Sequence, residues 1–180
     1  PYLRRIYGDN HVIAADYQAS MPLDIIEGGP TAKVDATDGS AMSEIVSSFK
    51  IDCIYNLVAV LSAKGEANPR YSWKINMETA FNCLELMRDA KGAVFTPSSI
   101  GAFGPSTPPD QTPQDTVMRP TTIYGISKVA CELLGDYYYV KYGVDSRGLR
   151  YPGIISNVTL PGGGTTDYAV EIYYEAIKNK

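Results

Sequence analysis

The sequence predicts an α/β fold in which a doubly wound parallel sheet carries helices on both faces. Short β-rich runs alternate with amphipathic helical patterns along most of the chain, which is typical of parallel strands joined by helical crossovers. A length of 180 residues with 44% hydrophobic content is enough for a substantial buried core. We therefore expect one domain of this class rather than two large ones.

The individual elements follow from local composition and periodicity. The predicted strands are the β-rich runs 11–15, 33–35, 52–61, 93–97 and 146–151. The predicted helices are 40–49, 72–90, 123–142 and 165–178, and residues 2–7 resemble the end of a further helix before a turn. Strands and helices thus alternate in the order that a parallel sheet requires.

The two long helices have the clearest signals. In 72–90, apolar side chains recur on one face that should pack on the sheet, namely Trp73, Met77, Ala80, Leu84 and Met87. The helix 123–142 is stopped by Gly143. Between them, the loop 101–122 is far longer than the usual connection of about 4 to 6 residues, and loops of that length are more often functional than idle.

Charge excludes several kinds of partner. The formal net charge is −4 and Lys and Arg do not cluster, so the chain shows no electrostatic footprint for nucleic acid or for an anionic membrane. No apolar stretch approaches the roughly 20 residues that cross a bilayer. A small-molecule partner fits these features best.

Cysteine and histidine usage narrows the chemistry further. Cys53, Cys83 and Cys131 are odd in number and lie apart in apolar segments, which favours a reducing compartment and small buried hydrophobes over a nucleophile. The one histidine, His11, falls in a predicted strand. We therefore predict neither a Ser-His or Cys-His hydrolase nor a metal site.

Three side chains form the candidate catalytic group. The strand 93–97 runs into Ser98 and Ser99, and the helix 123–142 opens with Tyr124 and Lys128. Residues four apart on a helix share a face, so the phenol and the amine can reach one site. Such a set of Ser, Tyr and Lys is typical of short-chain dehydrogenases.

These residue types suit the oxidation of an alcohol. The reaction needs a base for the hydroxyl proton, and an unperturbed tyrosine with a pKa of about 10 is mostly protonated at neutral pH. The Lys128 ammonium would favour the phenolate and bring the pKa of Tyr124 toward the working range, and it should also bind the cofactor ribose. Ser99 would orient and polarise the substrate oxygen.

Spacing alone does not single out this pair. The same Tyr-x-x-x-Lys pattern recurs at Tyr137/Lys141 and at Tyr174/Lys178, so two of the three pairs are expected to be structural. Only Tyr124 begins a helix after a long loop, downstream of a strand that ends in two serines. That context favours Tyr124/Lys128.

Two aspartates are candidates for the cofactor. Asp16 ends the first strand, where a dinucleotide-binding sheet places an acid for the adenosine ribose and thereby favours NAD over NADP; a capping role is the alternative. Asp35 ends the next strand and is placed to meet the adenine, although a turn aspartate gives the same letters. The run 56–63 resembles the segment that lies over the pyrophosphate, and it equally fits a buried strand.

The glycine-rich phosphate loop of a dinucleotide site is not in this sequence. No Gly-x-Gly-x-x-Gly occurs, and Gly162-Gly163-Gly164 comes too late and with the wrong spacing. We expect that loop, with the first strand, to lie upstream of Pro1. The chain alone is then expected to bind the cofactor weakly.

Several stretches together resemble the short-chain type of L-threonine 3-dehydrogenase, within the extended short-chain dehydrogenase/reductase (NAD-dependent epimerase/dehydratase-like) family. They are 61–66 (LSAKGE), 97–105 (PSSIGAFGP), 122–128 (TIYGISK), 149–156 (LRYPGIIS) and, as the most specific, 161–169 (PGGGTTDYA). The resemblance spans residues 16 to about 176. It implies a Rossmann-like fold in which 1–180 is a partial NAD-binding domain, with 157–180 leading into a substrate-binding portion completed beyond Lys180.

The resemblance also implies an activity and its residues. NAD-dependent oxidation of L-threonine to L-2-amino-3-oxobutanoate is expected, with Ser99, Tyr124 and Lys128 as catalytic groups. Besides Asp16, Asp35 and Lys128, the cofactor contacts implied by matching positions are Ala36, Leu57, Ala59, Asn76, Tyr124, Tyr151 and Ile154. The implied substrate contacts, besides Ser99 and Tyr124, are Ser62, Gly163, Thr165 and Thr166.

The loop 162–166 has a physical argument of its own. It precedes a predicted helix N-terminus, which suits the threonine carboxylate, while a connector with Thr165 as N-cap is the alternative. The relatives further imply a homodimer through the long helices. They imply a mitochondrial location if the source is eukaryotic and a cytoplasmic one otherwise.

Two other functions stay open. A nucleotide-sugar epimerase or dehydratase shares this fold and the Ser, Tyr and Lys chemistry, but takes its sugar-nucleotide pocket mostly from a C-terminal part. A non-catalytic dinucleotide-sensing module would keep the fold for regulation. The joint presence of Ser99, Tyr124 and Lys128 argues against the sensor.

Overall fold

A computed structural model describes residues 1–18, 21–154 and 167–178. The chain divides into two compact units, Pro1–Asp52 and Cys53–Lys180. In the described ranges every strand pairing is parallel and helices alternate with the strands. The predicted Rossmann-like α/β class is thereby confirmed.

The first unit is built around one parallel strand pair. Its elements are α1 (Tyr2–Tyr7), a 3-10 turn (Asp9–His11), β1 (Ala14–Asp16), α2 (Leu23–Glu27), β2 (Thr31–Lys33) and α3 (Gly39–Phe49). β1 and β2 pair in register from Ala14 opposite Thr31 to Asp16 opposite Lys33. The crossover between them contains α2, as parallel strands require.

A buried arginine holds this unit together. Arg4 on α1 is 4% exposed and donates to three backbone carbonyls, those of Val12 (3.2 Å), Ile25 (2.5 Å) and Pro30 (2.8 Å). Three neutral acceptors around one guanidinium satisfy its donors after it leaves water. Arg4 therefore ties α1 to the segment before β1, to α2 and to the residue before β2.

The second unit carries the remaining elements. They are β3 (Cys53–Tyr55), α4 (Ser62–Ala67), α5 (Pro69–Ala90), β4 (Ala93–Phe95), β5 (Ser98–Ser99), a 3-10 turn (Ile100–Ala102), α6 (Ile123–Tyr142), β6 (Asp145–Arg147), β7 (Arg150–Tyr151) and α7 (Tyr168–Lys178). β4 lies between β3 and β6, and β5 pairs with β7.

The core of this unit lies between the long helices and the strands. α5 packs along α6 and contacts β3 and β4, while α6 contacts β5 and β6. The buried apolar side chains are Met77, Ala80, Cys83, Leu84, Met87, Val94, Ala102, Tyr138 and Val144. The predicted inward face of α5 is thus confirmed, except for Trp73, which is 41% exposed.

Cysteine placement agrees in part with the expectation of small buried hydrophobes. Cys83 is buried, and burial raises the pKa of its thiol to about 12, so it stays protonated and apolar in character. Cys53 and Cys131 are half-buried, and all three thiols are free.

Several strand limits were predicted wrongly. His11 belongs to an exposed 3-10 turn, with Nδ1 2.8 Å from the Tyr7 carbonyl oxygen, and β1 starts only at Ala14. β2 lies at Thr31–Lys33 rather than 33–35, and the run 146–151 is split into β6 and β7. Short α2 was missed. Strand limits depend on the partner strand, which local composition does not specify.

The run 52–61 shows how a partner decides a strand. β3 ends at Tyr55, and after Asn56 donates its N–H to the Phe95 carbonyl the chain leaves the ladder and later forms α4. Val60 instead pairs with the side chain of Asn76, donating to Oδ1 (2.8 Å) and accepting from Nδ2 (3.4 Å). An amide side chain therefore takes the place of a strand partner.

The helix termini follow the chemistry of their residues. Thr122 caps α6 by accepting from the Gly125 N–H (3.0 Å), and Gly143 ends it at φ 72°. α5 begins at Pro69 rather than at 72, because Asn68 caps it and Pro69 fits the first helical position. That cap signal was available in the sequence.

In the described ranges, no helix is both long and apolar enough to cross a bilayer.

Candidate functional site

The candidate site lies in the second unit, where α6 begins beside the turn that follows β5. The buried Lys128 ammonium is 5.4 Å from the centroid of the Tyr124 ring and donates to the Pro97 carbonyl oxygen at 2.6 Å. Pro97 directly precedes the strand that carries Ser99. Lys128 therefore joins the start of α6 to the end of the β4–β5 segment.

Gly101 shows that Ser99 and Tyr124 are neighbours. A Cβ built on Gly101 would lie 3.4 Å from Ser99 Oγ and 3.4 Å from the Tyr124 ring edge. The Gly101 N–H donates to Ser99 Oγ at 3.1 Å, which leaves the serine proton for another acceptor. The structure thus brings the three predicted catalytic residues together.

Burial distinguishes this pair from the other two Tyr-x-x-x-Lys pairs. Lys128 is 8% exposed, whereas Lys141 and Lys178 are exposed. Lys141 donates to Tyr137 Oη at 2.5 Å on the surface, and Lys178 pairs with Glu175 at 3.0 Å. The expectation that two of the three pairs are structural agrees with these positions.

Desolvation acts on the amine. Burial lowers the pKa of the Lys128 ammonium, and the nearby Cys131 thiol opposes part of that change. Burial likewise raises the pKa of the Cys131 thiol. A buried cation with one protein acceptor is suited to stabilising negative charge beside it.

The two serines of β5 have different surroundings. Ser98 is buried, and its hydroxyl donates to Glu132 Oε1. Ser99 is half-buried beside Tyr124. The hydroxyl of Ser98 is therefore committed to the protein, and Ser99 is the better candidate for a substrate oxygen.

Two further residues, which the sequence did not indicate, align the start of α6. Glu66 on α4 accepts the Ile123 N–H at 2.8 Å, so a carboxylate satisfies the helix N-terminus next to Tyr124. Ser127 on α6 accepts from Asn76 Nδ2 at 3.0 Å and donates to the Tyr124 carbonyl oxygen at 2.7 Å. The Glu66–Ile123 and Asn76–Ser127 contacts join residues far apart in the chain.

Asn76, predicted as a cofactor contact, is 5% exposed and bonds to protein groups on both sides of its amide. These bonds hold the segment after β3 against α6. Its cofactor role stays a prediction, and the structure adds a positioning role.

The other predicted cofactor residues of the second unit lie after β3 and around β7. Leu57 is 71% exposed and Ala59 half-buried, in the extended segment before α4. Tyr151 ends β7, and Ile154 is 71% exposed. Carboxyl ends of parallel strands are where dinucleotides bind, so these positions fit the prediction without testing it.

In the first unit, Asp16 ends β1 as expected, and its exposed carboxylate accepts the Gln18 N–H at 2.8 Å. Asp35 follows β2 in a turn, accepting from the N–H (2.9 Å) and hydroxyl (2.8 Å) of Thr37. Ala36 lies within that turn. The turn alternative for Asp35 is therefore realised, and its cofactor role stays a prediction.

Of the predicted substrate contacts, Ser62 is half-buried at the first position of α4. Gly163, Thr165 and Thr166 lie outside the described residues. In the described ranges, no three His, Cys, Asp or Glu side chains are placed to hold a metal ion.

Each of the two units, taken by itself, has a group that suits a ribose of a dinucleotide. Asp16 offers an exposed carboxylate at the end of a parallel strand, which suits a pair of ribose hydroxyls. An ammonium has three N–H donors, and Lys128 gives one to Pro97. The remaining donors of the Lys128 ammonium suit ribose hydroxyls.

Gly125→Ala tests the close contact between the start of α6 and the Gly101 carbonyl oxygen, which brings Tyr124 next to Ser99. A Cβ at residue 125 would lie 2.1 Å from the Gly101 carbonyl oxygen, and backbone cannot yield as a side chain does. We expect the free energy of unfolding in urea to fall by about 1 to 3 kcal/mol.

Gly135→Ala is the matched control in the same helix. Its Cβ would meet Ser146 Oγ at 2.6 Å, a hydroxyl that can rotate away. Equal losses in the two variants would contradict a specific contact between Gly125 and Gly101.

Known proteins are similar to this chain in sequence and in fold. The model of the NAD dependent epimerase/dehydratase family matches residues 4–171. An uncharacterized epimerase/dehydratase of Staphylococcus saprophyticus is 50% identical over 97% of this chain and 55% of its own length. The chain therefore spans about half the length of the curated relatives it matches.

Solved structures of L-threonine dehydrogenases have a sequence identity to this chain close to that of the curated relatives. L-threonine dehydrogenase from Clostridium difficile has a TM-score of 0.93 and 49% identity, covering 99% of this chain and 56% of that one. The holo form of a GalE-like L-threonine dehydrogenase from Cupriavidus necator has a TM-score of 0.93 and 45% identity, covering 99% and 57%.

Proposed function

Because the chain belongs to the NAD dependent epimerase/dehydratase family, we propose that it forms the NAD-binding and catalytic part of an enzyme that oxidises L-threonine to L-2-amino-3-oxobutanoate. The family and its solved neighbours imply NAD as cofactor and an oxidoreductase as the class of enzyme. The similarity to L-threonine dehydrogenases across almost the whole chain supports the finer choice of substrate.

One observation carries the catalytic part of the proposal. The buried Lys128 ammonium, the Tyr124 ring and Ser99 Oγ are gathered where α6 begins next to the turn after β5. This group offers a base, a cation that favours negative charge on the base, and a neutral hydrogen-bond donor. Those are the parts that oxidation of an alcohol needs.

Each residue has a defined role. Tyr124 as phenolate accepts the proton of the threonine hydroxyl, Ser99 donates to that oxygen and orients it, and Lys128 stabilises the phenolate. When bound, NAD would accept the hydride from the threonine carbon that carries this hydroxyl. Asp16 and Lys128 are the proposed ribose contacts, together with the further cofactor positions named above.

Substrate choice is tested on the full-length protein with NAD. L-threonine is expected to produce reduced cofactor, measured by its absorbance, while UDP-glucose is expected to give neither reduced cofactor nor an epimerised product by chromatography. Conversion of UDP-glucose without turnover of threonine would establish the epimerase alternative, which shares this fold and chemistry.

The oligomeric proposal is a homodimer through the long helices. α5 and α6 expose large apolar side chains, among them Phe81 (43%), Leu133 (60%), Tyr139 (62%) and Val140 (82%). Apolar patches on paired helices commonly mark protein interfaces. In sedimentation experiments, the full-length protein is expected to run as a dimer. The Leu133→Lys variant, which places a charge on the proposed interface, is expected to run as a monomer.

For location, the matched curated relatives are bacterial. They favour the cytoplasmic branch of the sequence-based expectation, and they lend no support to a mitochondrial one.

A further inference from the structure

A polar cluster beside the catalytic residues has no chemical step assigned to it. It consists of Ser98 on β5, Glu132 on α6 and Arg150 on β7. Arg150 Nη2 lies 2.8 Å from Glu132 Oε2, and Arg150 Nε is 3.1 Å from both carboxylate oxygens. The two charged side chains are 17% and 21% exposed, so this is a largely buried, two-pronged ion pair.

Each member of the cluster is next to a proposed catalytic residue or to Ser98. Glu132 is one helical turn beyond Lys128, on the same face of α6. Ser98, whose hydroxyl donates to Glu132, is joined directly to Ser99. Arg150 is paired with Ser98 in the register of β5 and β7. Glu132 therefore contacts both strands of the pair that carries Ser99.

β5 and β7 are short and continue the pairing of β4 with β6. Each is two residues long, and the N–H groups of Thr96 and Ser98 donate to the Arg147 and Leu149 carbonyl oxygens, both at 2.9 Å. These backbone bonds position the main chain of the pair. A second attachment through side chains would hold Ser99 at a constant distance from Tyr124.

The same guanidinium reaches the long loop. Arg150 Nη1 donates to the Gln114 carbonyl oxygen at 3.0 Å, and its carbon atom Cζ lies 5.5 Å from the centroid of the Phe103 ring. Both residues belong to the segment between β5 and α6. Arg150 thus connects the loop, the strand pair and the catalytic helix at one point.

We propose that Glu132 and Arg150 are positioning residues, which hold Ser99 and the 103–122 loop in register with Tyr124 and Lys128. Their proposed action is through Ser98 and the β5–β7 pair rather than by contact with substrate or cofactor. The proposal rests on the proposed function, since it assigns them to the same reaction.

The test uses Glu132→Gln and Arg150→Met in the full-length protein. We expect kcat to fall about 10- to 100-fold, because displacement of a reacting group by an ångström has effects of that size. The KM for NAD is expected to change less than about threefold, and the double variant to be no slower than the worse single one. Arg150→Lys should stay impaired, since a single ammonium cannot reproduce the two-pronged contact.

The matched control is the exposed pair on β6. Arg147 Nε lies 2.7 Å from Asp145 Oδ1, and Arg147 is 76% exposed, so Arg147→Met should leave kcat unchanged. Added guanidinium ion at millimolar concentration is expected to restore part of the rate of Arg150→Ala. The rate of Arg147→Met should not change when guanidinium ion is added. A merely structural role predicts a lower melting temperature without such rescue.

Failure of the proposed function is separable from failure of this inference. If the wild-type protein does not turn over threonine, hydrogen exchange provides the readout. Loss of Arg150 should speed exchange in the peptide containing the Gly101 N–H at least tenfold, with β3 unchanged as the internal reference. Unchanged exchange there, or an unchanged kcat in Glu132→Gln and Arg150→Met, overturns the proposal.

Discussion

Tyr124→Phe is expected to lower kcat for threonine about 10³-fold while leaving NADH binding intact. The substitution removes one phenolic oxygen and keeps the ring that faces the Lys128 ammonium at 5.4 Å. That oxygen is the proposed acceptor of the alcohol proton. Steady-state kinetics and NADH fluorescence on the same preparation make the comparison.

Tyr137→Phe is the matched control. Tyr137 stands in the same Tyr-x-x-x-Lys spacing on the same helix, with Lys141 Nζ at 2.5 Å, but it is 46% exposed. Its kcat should equal that of the wild type. If Tyr124→Phe keeps more than about a tenth of the wild-type rate, the oxidoreductase mechanism is wrong and a dinucleotide-sensing module becomes the better reading.

The second large effect is expected for Lys128→Met. Activity should fall by about 10³-fold, and the Kd for NADH should rise, because the ammonium both favours the phenolate and is a proposed ribose contact. Methionine fills a similar volume in the buried position. Lys141→Met, on the exposed face of the same helix, should change neither quantity.

The same variant has a pH signature in its stability. Burial lowers the pKa of Lys128 in the folded chain, so between the folded and unfolded values the unfolded state binds more protons. The wild type therefore gains stability as pH rises through that window, and Lys128→Met does not. The melting temperature of the variant relative to the wild type should fall as the pH rises toward the ordinary lysine pKa of about 10.4. A difference that rises with pH would contradict the buried ammonium.

Local sequence signals were sufficient for the elements whose stability is local. The bounds of α6 were predicted at both ends because Ile123 follows the capping Thr122 and Tyr142 precedes a glycine at φ 72°. The inward face of α5 was predicted for Met77 through Met87 by its period. The prediction was wrong for Trp73, which is 41% exposed, because the burial of a side chain near a helix end depends on whether neighbouring segments cover it.

Strands were predicted less well, because a strand exists only through its partner. Residues 56–61 have the composition of β3 but lie outside the ladder, and Asn76 supplies the bonds of Val60. No local sequence pattern predicts that Val60 bonds to the side-chain amide of Asn76, sixteen residues away. The same holds for Glu66, whose carboxylate reaches the start of α6 from α4.

The sequence by itself determined the α/β class, the two long helices and the pairing of Tyr124 with Lys128 on one helical face, because these follow from periodicity and helix geometry. The tertiary structure alone decided which of three Tyr-x-x-x-Lys pairs has a buried amine, that the Ser98 hydroxyl bonds to Glu132, and that Glu132 and Arg150 meet at Ser98. These features depend on contacts between residues distant in the chain, and burial changes both the charge and the hydrogen bonding of the groups that form them.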